Sequence, residues 1–154
     1  MQAFPHHYSV SASGRIDGDI DLTGHRLPLL RSASPVEFDG PGDLWSPETL
    51  LVGAVADCFI LTFRAIARAA ALPWIALECN ATGTLERIDR VTQFTQFDLR
   101  VRLSLPHGQD ADRARHALEK AERNCLISSS LKGTVRLIAD IEVAEPLEAP
   151  VAGS

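Results

Sequence analysis

Three cysteines in 154 residues are too few for a disulfide scaffold, and none of them forms a Cys-x-x-Cys pair. The five histidines stand outside any recognised ligand spacing, so a metal site has no support. No Gly-x-Gly-x-x-Gly or Walker pattern is present, which leaves nucleotide binding and a cofactor without an argument. There is no Lys/Arg run, and fifteen basic against twenty acidic residues give a net charge of -5. The electrostatic footprint of a nucleic-acid binder is therefore missing. The start, Met1 to Tyr8, has neither a basic stretch nor an apolar one, so a reducing cytoplasmic setting with free thiols is expected. The longest apolar stretch, Leu50 to Leu72, is interrupted by Asp57, Arg64 and Arg68, and is expected to be a buried helix with no membrane partner.

What is there fits one domain. With 45% hydrophobic and 23% charged residues the composition is globular. Three runs alternate between apolar and polar residues: Ile75, Leu77, Cys79, Ala81 and Leu85; then Phe97, Leu99, Val101, Leu103 and Leu105; then Val135, Leu137, Ala139, Ile141 and Val143. Each predicts a strand with one buried face, and the residues around Asp89 and Arg90 suit a hairpin between the first two. A weaker strand is expected over Tyr8, Val10 and Ala12, continuing through Ile20 and Leu22 after a turn. One-sided alternation points to an antiparallel sheet.

Helices are expected to cover it. Ser46-Pro47-Glu48 combines an N-cap hydroxyl, a proline at the first helical position and a carboxylate at the positive dipole end, and Pro73 should stop that helix. A second begins near Gln109-Asp110 and carries Ala111, Ala114, Ala117, Leu118 and Ala121 at helical spacing to about Arg123, with a short helix or turn over Cys125 to Leu131. The expected class is α+β: a two-layer domain over residues 1–144 with a long central helix, and a loose tail over 145–154 rich in Pro, Ala, Gly and Ser.

Chemistry rests on the thiols. Cys58 lies mid-helix among Leu51, Ala54, Val55, Thr62 and Ala65, about ten residues from the helix start, where the dipole lends little to a thiolate. By itself it reads as a small buried hydrophobe, and a reactive role needs an external charge, a guanidinium above all. Cys125 follows one helix and opens a short element, where orphan amides favour a thiolate, although core packing is the plain alternative. Cys79, on the apolar side of a strand, reads as inert.

Phe38-Asp-Gly40, Ser46-Pro-Glu-Thr-Leu-Leu51, Asp57-Cys-Phe59, Ala121-Glu-Arg-Asn-Cys-Leu-Ile-Ser128 and Ser130-Leu-Lys132 resemble the OsmC/Ohr family of cysteine-based hydroperoxide reductases, from about Tyr8 to Val143. The Cys-Leu-Ile-Ser context is similar to the OsmC side of that family. The resemblance implies an intertwined homodimer with two long helices at its centre. It assigns Cys58 as the peroxidatic thiol, Cys125 as the resolving thiol, Glu48 as the carboxylate and Arg15, in Ser-Gly-Arg where the family has Gly-Gly-Arg, as the arginine. It further implies reduction of organic hydroperoxides through a Cys58 sulfenate and a Cys58–Cys125 disulfide, regenerated by a lipoyl-type dithiol. A redox sensor or a small-molecule carrier on the same fold is the competing reading. Glu48 and Cys58 stand about 15 Å apart along one helix, so in this resemblance the arginine and carboxylate come from the partner subunit.

Overall fold

The computed structural model describes residues 1–147. In chain order it forms β1 (Ser11–Ser13), β2 (Ile20–Thr23), β3 (Leu30–Ser32), α1 (Pro47–Ala69), β4 (Ala76–Ile88), β5 (Val91–Leu105), α2 (Ala111–Asn124) and β6 (Thr134–Val143). Single 3-10 turns lie at Val36–Phe38 and Ser128–Ser130. The chain divides into two compact units, one of Met1–Leu51 and one from Val52 onward. The expected tail over 145–154 falls, from residue 148 on, outside the described residues.

In the first unit β1, β2 and β3 pair antiparallel in that order. The strand expected from Tyr8 begins only at Ser11; Tyr8 and Val10 are exposed, because three-residue strands have no packed face to hold a longer run. β3 and the first 3-10 turn carry no alternation and were not expected from the pattern. The helix start is as the residues imply. Ser46 Oγ accepts from the Thr49 amide at 3.1 Å while Thr49 Oγ1 accepts from the Ser46 amide at 2.8 Å, a reciprocal cap with threonine in the place usual for glutamate.

The second unit is built on β5, which lies between β4 and β6. β4 and β5 form a long antiparallel hairpin closed by Asp89 and Arg90, with φ of 50° and 67°, the positive pair that a two-residue turn needs to match strand twist. One pairing departs from the antiparallel expectation: β6 runs parallel to β5. The reason is the connection, since α2 intervenes and returns the chain to the same end of the sheet. Alternation places Phe97, Leu99, Val101, Leu103 and Leu105 in the core, with Ala114, Leu118 and Ala121 of α2 and Val55, Phe59, Phe63 and Ala67 of α1. Ile75 and Leu85, expected on that inner face, are exposed: Ile75 precedes the strand, and Leu85 follows a register shift at Thr84/Leu85 that ends the alternation.

α1 ends at Ala69, before Pro73. Ala71 takes φ 47°, its amide donates to the Arg68 carbonyl and the Leu72 amide to the Ala67 carbonyl, a Schellman closure with alanine where glycine is usual. The helix is not buried as expected. In its most apolar window, of mean hydropathy 1.9, only 22% of residues are covered, and Leu61 is 50% exposed. By length and composition alone it is also apolar enough to cross a membrane, a test that core helices of water-soluble folds pass as well.

Candidate functional site

Cys58 sits halfway along α1 and is half-buried, with its sulfur 3.9 Å from Oγ1 of Thr62 one turn later. Cys125 is the residue that ends α2, where the backbone leaves helical geometry at φ -67° and ψ 112°. It is 1% exposed. Two serines hold its position, because the Cys125 carbonyl accepts from Ser129 Oγ at 2.8 Å, from the Ser129 amide at 3.0 Å and from Ser128 Oγ at 3.2 Å. The segment after α2 thereby turns back toward α1 and brings Cys125 and the Ile127 amide against the Cys58 thiol. Both cysteines are free thiols.

Burial pushes the Cys58 thiol up from its ordinary value, and the Ile127 amide and Thr62 hydroxyl, which favour the thiolate, offset this only in part. The Cys125 side chain favours the protonated form further. Among the described residues no cation acts on this sulfur. Cys79, on β4, is pushed up to about 11 by burial and then by the nearby Cys125, which keeps it a thiol at neutral pH.

The other two residues singled out in the sequence belong to the first unit. Arg15 is exposed in the connection between β1 and β2 and, among the described residues, makes no ion pair. Glu48 lies in the first turn of α1, and its Oε2 is buried with no hydrogen-bond partner among the described residues. A carboxylate oxygen in that condition costs free energy until a donor reaches it.

Sequence reading passed over two groups at the thiols. The signal for Thr62 is its i+4 spacing from Cys58, which places a hydroxyl one turn from the sulfur. The Ile127 amide carries no side-chain signal, and only the turn after α2 brings it to the site.

A family model described as OsmC-like protein matches residues 40–139. The protein YmaD of Bacillus subtilis is 33% identical over 119 residues, which cover 75% of this chain and 79% of that one. An OsmC-like protein of unknown function from Vibrio cholerae has a similar structure, with a TM-score of 0.79 at 16% identity over 89% of this chain and 99% of the other. An organic hydroperoxide resistance protein OsmC from Legionella pneumophila superposes with a TM-score of 0.71 at 22% identity, over 92% of this chain and all (100%) of that one. An organic hydroperoxide resistance protein from Elizabethkingia anophelis superposes with a TM-score of 0.70 at 17% identity, over 92% of this chain and 100% of that one.

Proposed function

We propose, from the premise that the chain belongs to the OsmC-like family, that it is a cysteine-based peroxidase that reduces organic hydroperoxides. The observation that carries this reading is the meeting of two free thiols, Cys58 and Cys125, from the middle of one helix and the end of another. Packing alone does not call for two sulfurs to adjoin, whereas a peroxide cycle does.

The Cys58 thiolate attacks one oxygen of R–O–O–H. The O–O bond breaks, the alkoxide leaves and takes a proton to become an alcohol, and the sulfur becomes a sulfenic acid. The Cys125 sulfur then attacks the sulfenic sulfur and expels water, so the pair closes as a disulfide before higher oxides form. A dithiol reductant of the lipoyl type returns two electrons by exchange, becoming a disulfide itself. The cycle belongs in a reducing compartment such as the cytoplasm.

The first step needs a thiolate, yet burial works against one at Cys58. A guanidinium supplies the missing charge, and its fork of donors also suits the polarised peroxide oxygens. Arg15 of a second copy takes this role in our reading, with Glu48 of that copy orienting it. The unpartnered Glu48 Oε2 supports a donor arriving there, and the uncovered apolar residues of α1 support a second copy against that helix. The apolar surroundings of Cys58, with Phe59 beside it in the helix, favour an organic peroxide over hydrogen peroxide.

Consumption of cumene hydroperoxide by the purified protein with dihydrolipoamide tests the proposal. Multiple turnovers are expected. A single equivalent consumed even with the reductant present marks a sensor, none marks a carrier, and either result overturns the reading.

A further inference from the structure

In the run Phe59-Ile-Leu-Thr-Phe63 of α1, Thr62 is the one polar residue. Packing gives no reason for it, since valine matches its shape without a polar atom, and threonine is among the weaker helix formers. A helical threonine commonly turns its hydroxyl to the carbonyl three or four residues back. Ser129 and Ser130 bond in that way, to the carbonyls of Cys125 and Leu126. Thr62 does not. Among the described residues its Oγ1 meets only the Cys58 sulfur, at 3.9 Å.

A second donor points at the same atom. Ile127 stands just past the end of α2, with φ of -70° and ψ of -53°. Among the described residues its amide bonds no backbone carbonyl, while the amides of Ser129, Ser130 and Leu131 are taken by the carbonyls of Cys125, Ile127 and Ser128. The acceptor it faces is the Cys58 sulfur. Cys125 has no such pair, because Ser128 and Ser129 donate to its carbonyl and not to its sulfur. Two sulfurs adjoin, and both fixed donors belong to one of them.

We infer that Thr62 is a catalytic residue of the peroxide reaction: its hydroxyl donates to the Cys58 thiolate and, with the Ile127 amide, holds the negative charge of the thiol pair on Cys58. This deepens the reading of Cys58 as the peroxidatic thiol and rests on it. As a thiol, Cys58 is a weak donor and a weak acceptor, so the contact with Thr62 contributes little. Once the proton has left to water the sulfur only accepts, and the bond from the hydroxyl becomes charge-assisted. That difference lowers the cost of ionising a half-buried sulfur. The same bond takes some nucleophilicity from the thiolate, but less than it adds in thiolate population, because nucleophilicity follows basicity with a slope of only about 0.4–0.5. Thr62 therefore speeds attack where the thiol is mostly protonated and slows it where the thiol is fully ionised. An arginine arriving from a second copy adds to this, since Thr62 and Cys58 share one helix and need no partner to meet.

Iodoacetamide alkylation of Cys58 across pH, read by peptide mass in the full-length protein, tests the donor. Thr62→Val should slow alkylation about threefold at pH 7 and raise its high-pH plateau by a similar factor, so that its profile crosses that of the wild type. A packing defect produces no such crossing. Thr62→Ser should follow the wild type, and Thr62→Ala set against Thr62→Ser reads the same hydroxyl without valine in the helix. Superimposed profiles for Thr62→Val and wild type overturn the inference, as does a Thr62→Ser profile that matches Thr62→Val. An effect of Thr62→Val that vanishes in the Arg15→Ala protein also overturns it, because Thr62 then acts only by supporting the arginine. With cumene hydroperoxide and dihydrolipoamide, kcat/KM of Thr62→Val should fall about threefold at pH 7 and recover in Thr62→Ser. Superimposed profiles in a protein that still turns over peroxide overturn Thr62 and leave the peroxidase standing. Crossing profiles in a protein that consumes no peroxide overturn the peroxidase and keep Thr62 as the donor to the Cys58 thiolate.

Discussion

The Cys125 side chain adjoins the Cys58 thiol, and it does so because three serine donors at Ser128 and Ser129 fold the segment after α2 around the Cys125 carbonyl. The partner lies against a thiol that burial holds protonated, so reactivity at Cys58 depends on what else arrives there.

The thiols should divide their work. Cys58→Ser is expected to lower peroxide turnover by at least about a thousandfold. Cys125→Ser should retain one fast equivalent and then accumulate sulfenic and higher oxides on Cys58. Cys79→Ser should leave the rate within about twofold, since the wild-type group is a protonated thiol at neutral pH. Intact-mass spectra after one equivalent of peroxide separate these outcomes, and fast consumption by Cys58→Ser removes the assignment.

A mild peroxide pulse should yield a single intramolecular disulfide between Cys58 and Cys125, which needs Cα atoms within about 7 Å. Non-reducing peptide maps read the linkage directly. A map that places Cys79 in the bond contradicts the pairing.

The charge that activates Cys58 should come from Arg15 of a partner subunit. Arg15→Ala is then expected to raise the apparent pKa of Cys58, because removing a cation leaves burial unopposed. The pH dependence of iodoacetamide alkylation measures it. Mixed dimers of Arg15→Ala with Cys58→Ser, isolated with two different tags, should recover about half of wild-type activity, since one site then has an intact thiol facing an intact arginine. Activity no higher than that of either single variant rejects the composite site.

Stability should fall at high pH through Cys79. Its folded-state value of about 11 lies above the unfolded one, so the unfolded chain loses this proton first and binds fewer protons in the interval. Its contribution is full below the unfolded value and is lost as pH rises through about 11. Urea midpoints taken at several pH values should show a shallower decline for Cys79→Ala than for the wild-type protein. Parallel declines in the two proteins exclude this thiol as the source.

Period and capping were enough to read α1, α2, β4, β5 and β6, because each states its own local rule: the Ser46-Pro47 start, the alanines of α2, and the strict alternation of Phe97 to Leu105. β3 was not legible, since a three-residue strand has no period. The parallel pairing of β6 was not legible either, as alternation states which side of a strand is buried and nothing about its direction. Likewise the sequence by itself named Cys58 and Cys125 through their motifs, and hydropathy placed Cys58 on an apolar helix. That the two sulfurs adjoin and that Ile127 presents its amide there were decided only by tertiary structure. Sequence carries local propensity, whereas these contacts depend on the sheet that fixes where α2 ends beside α1.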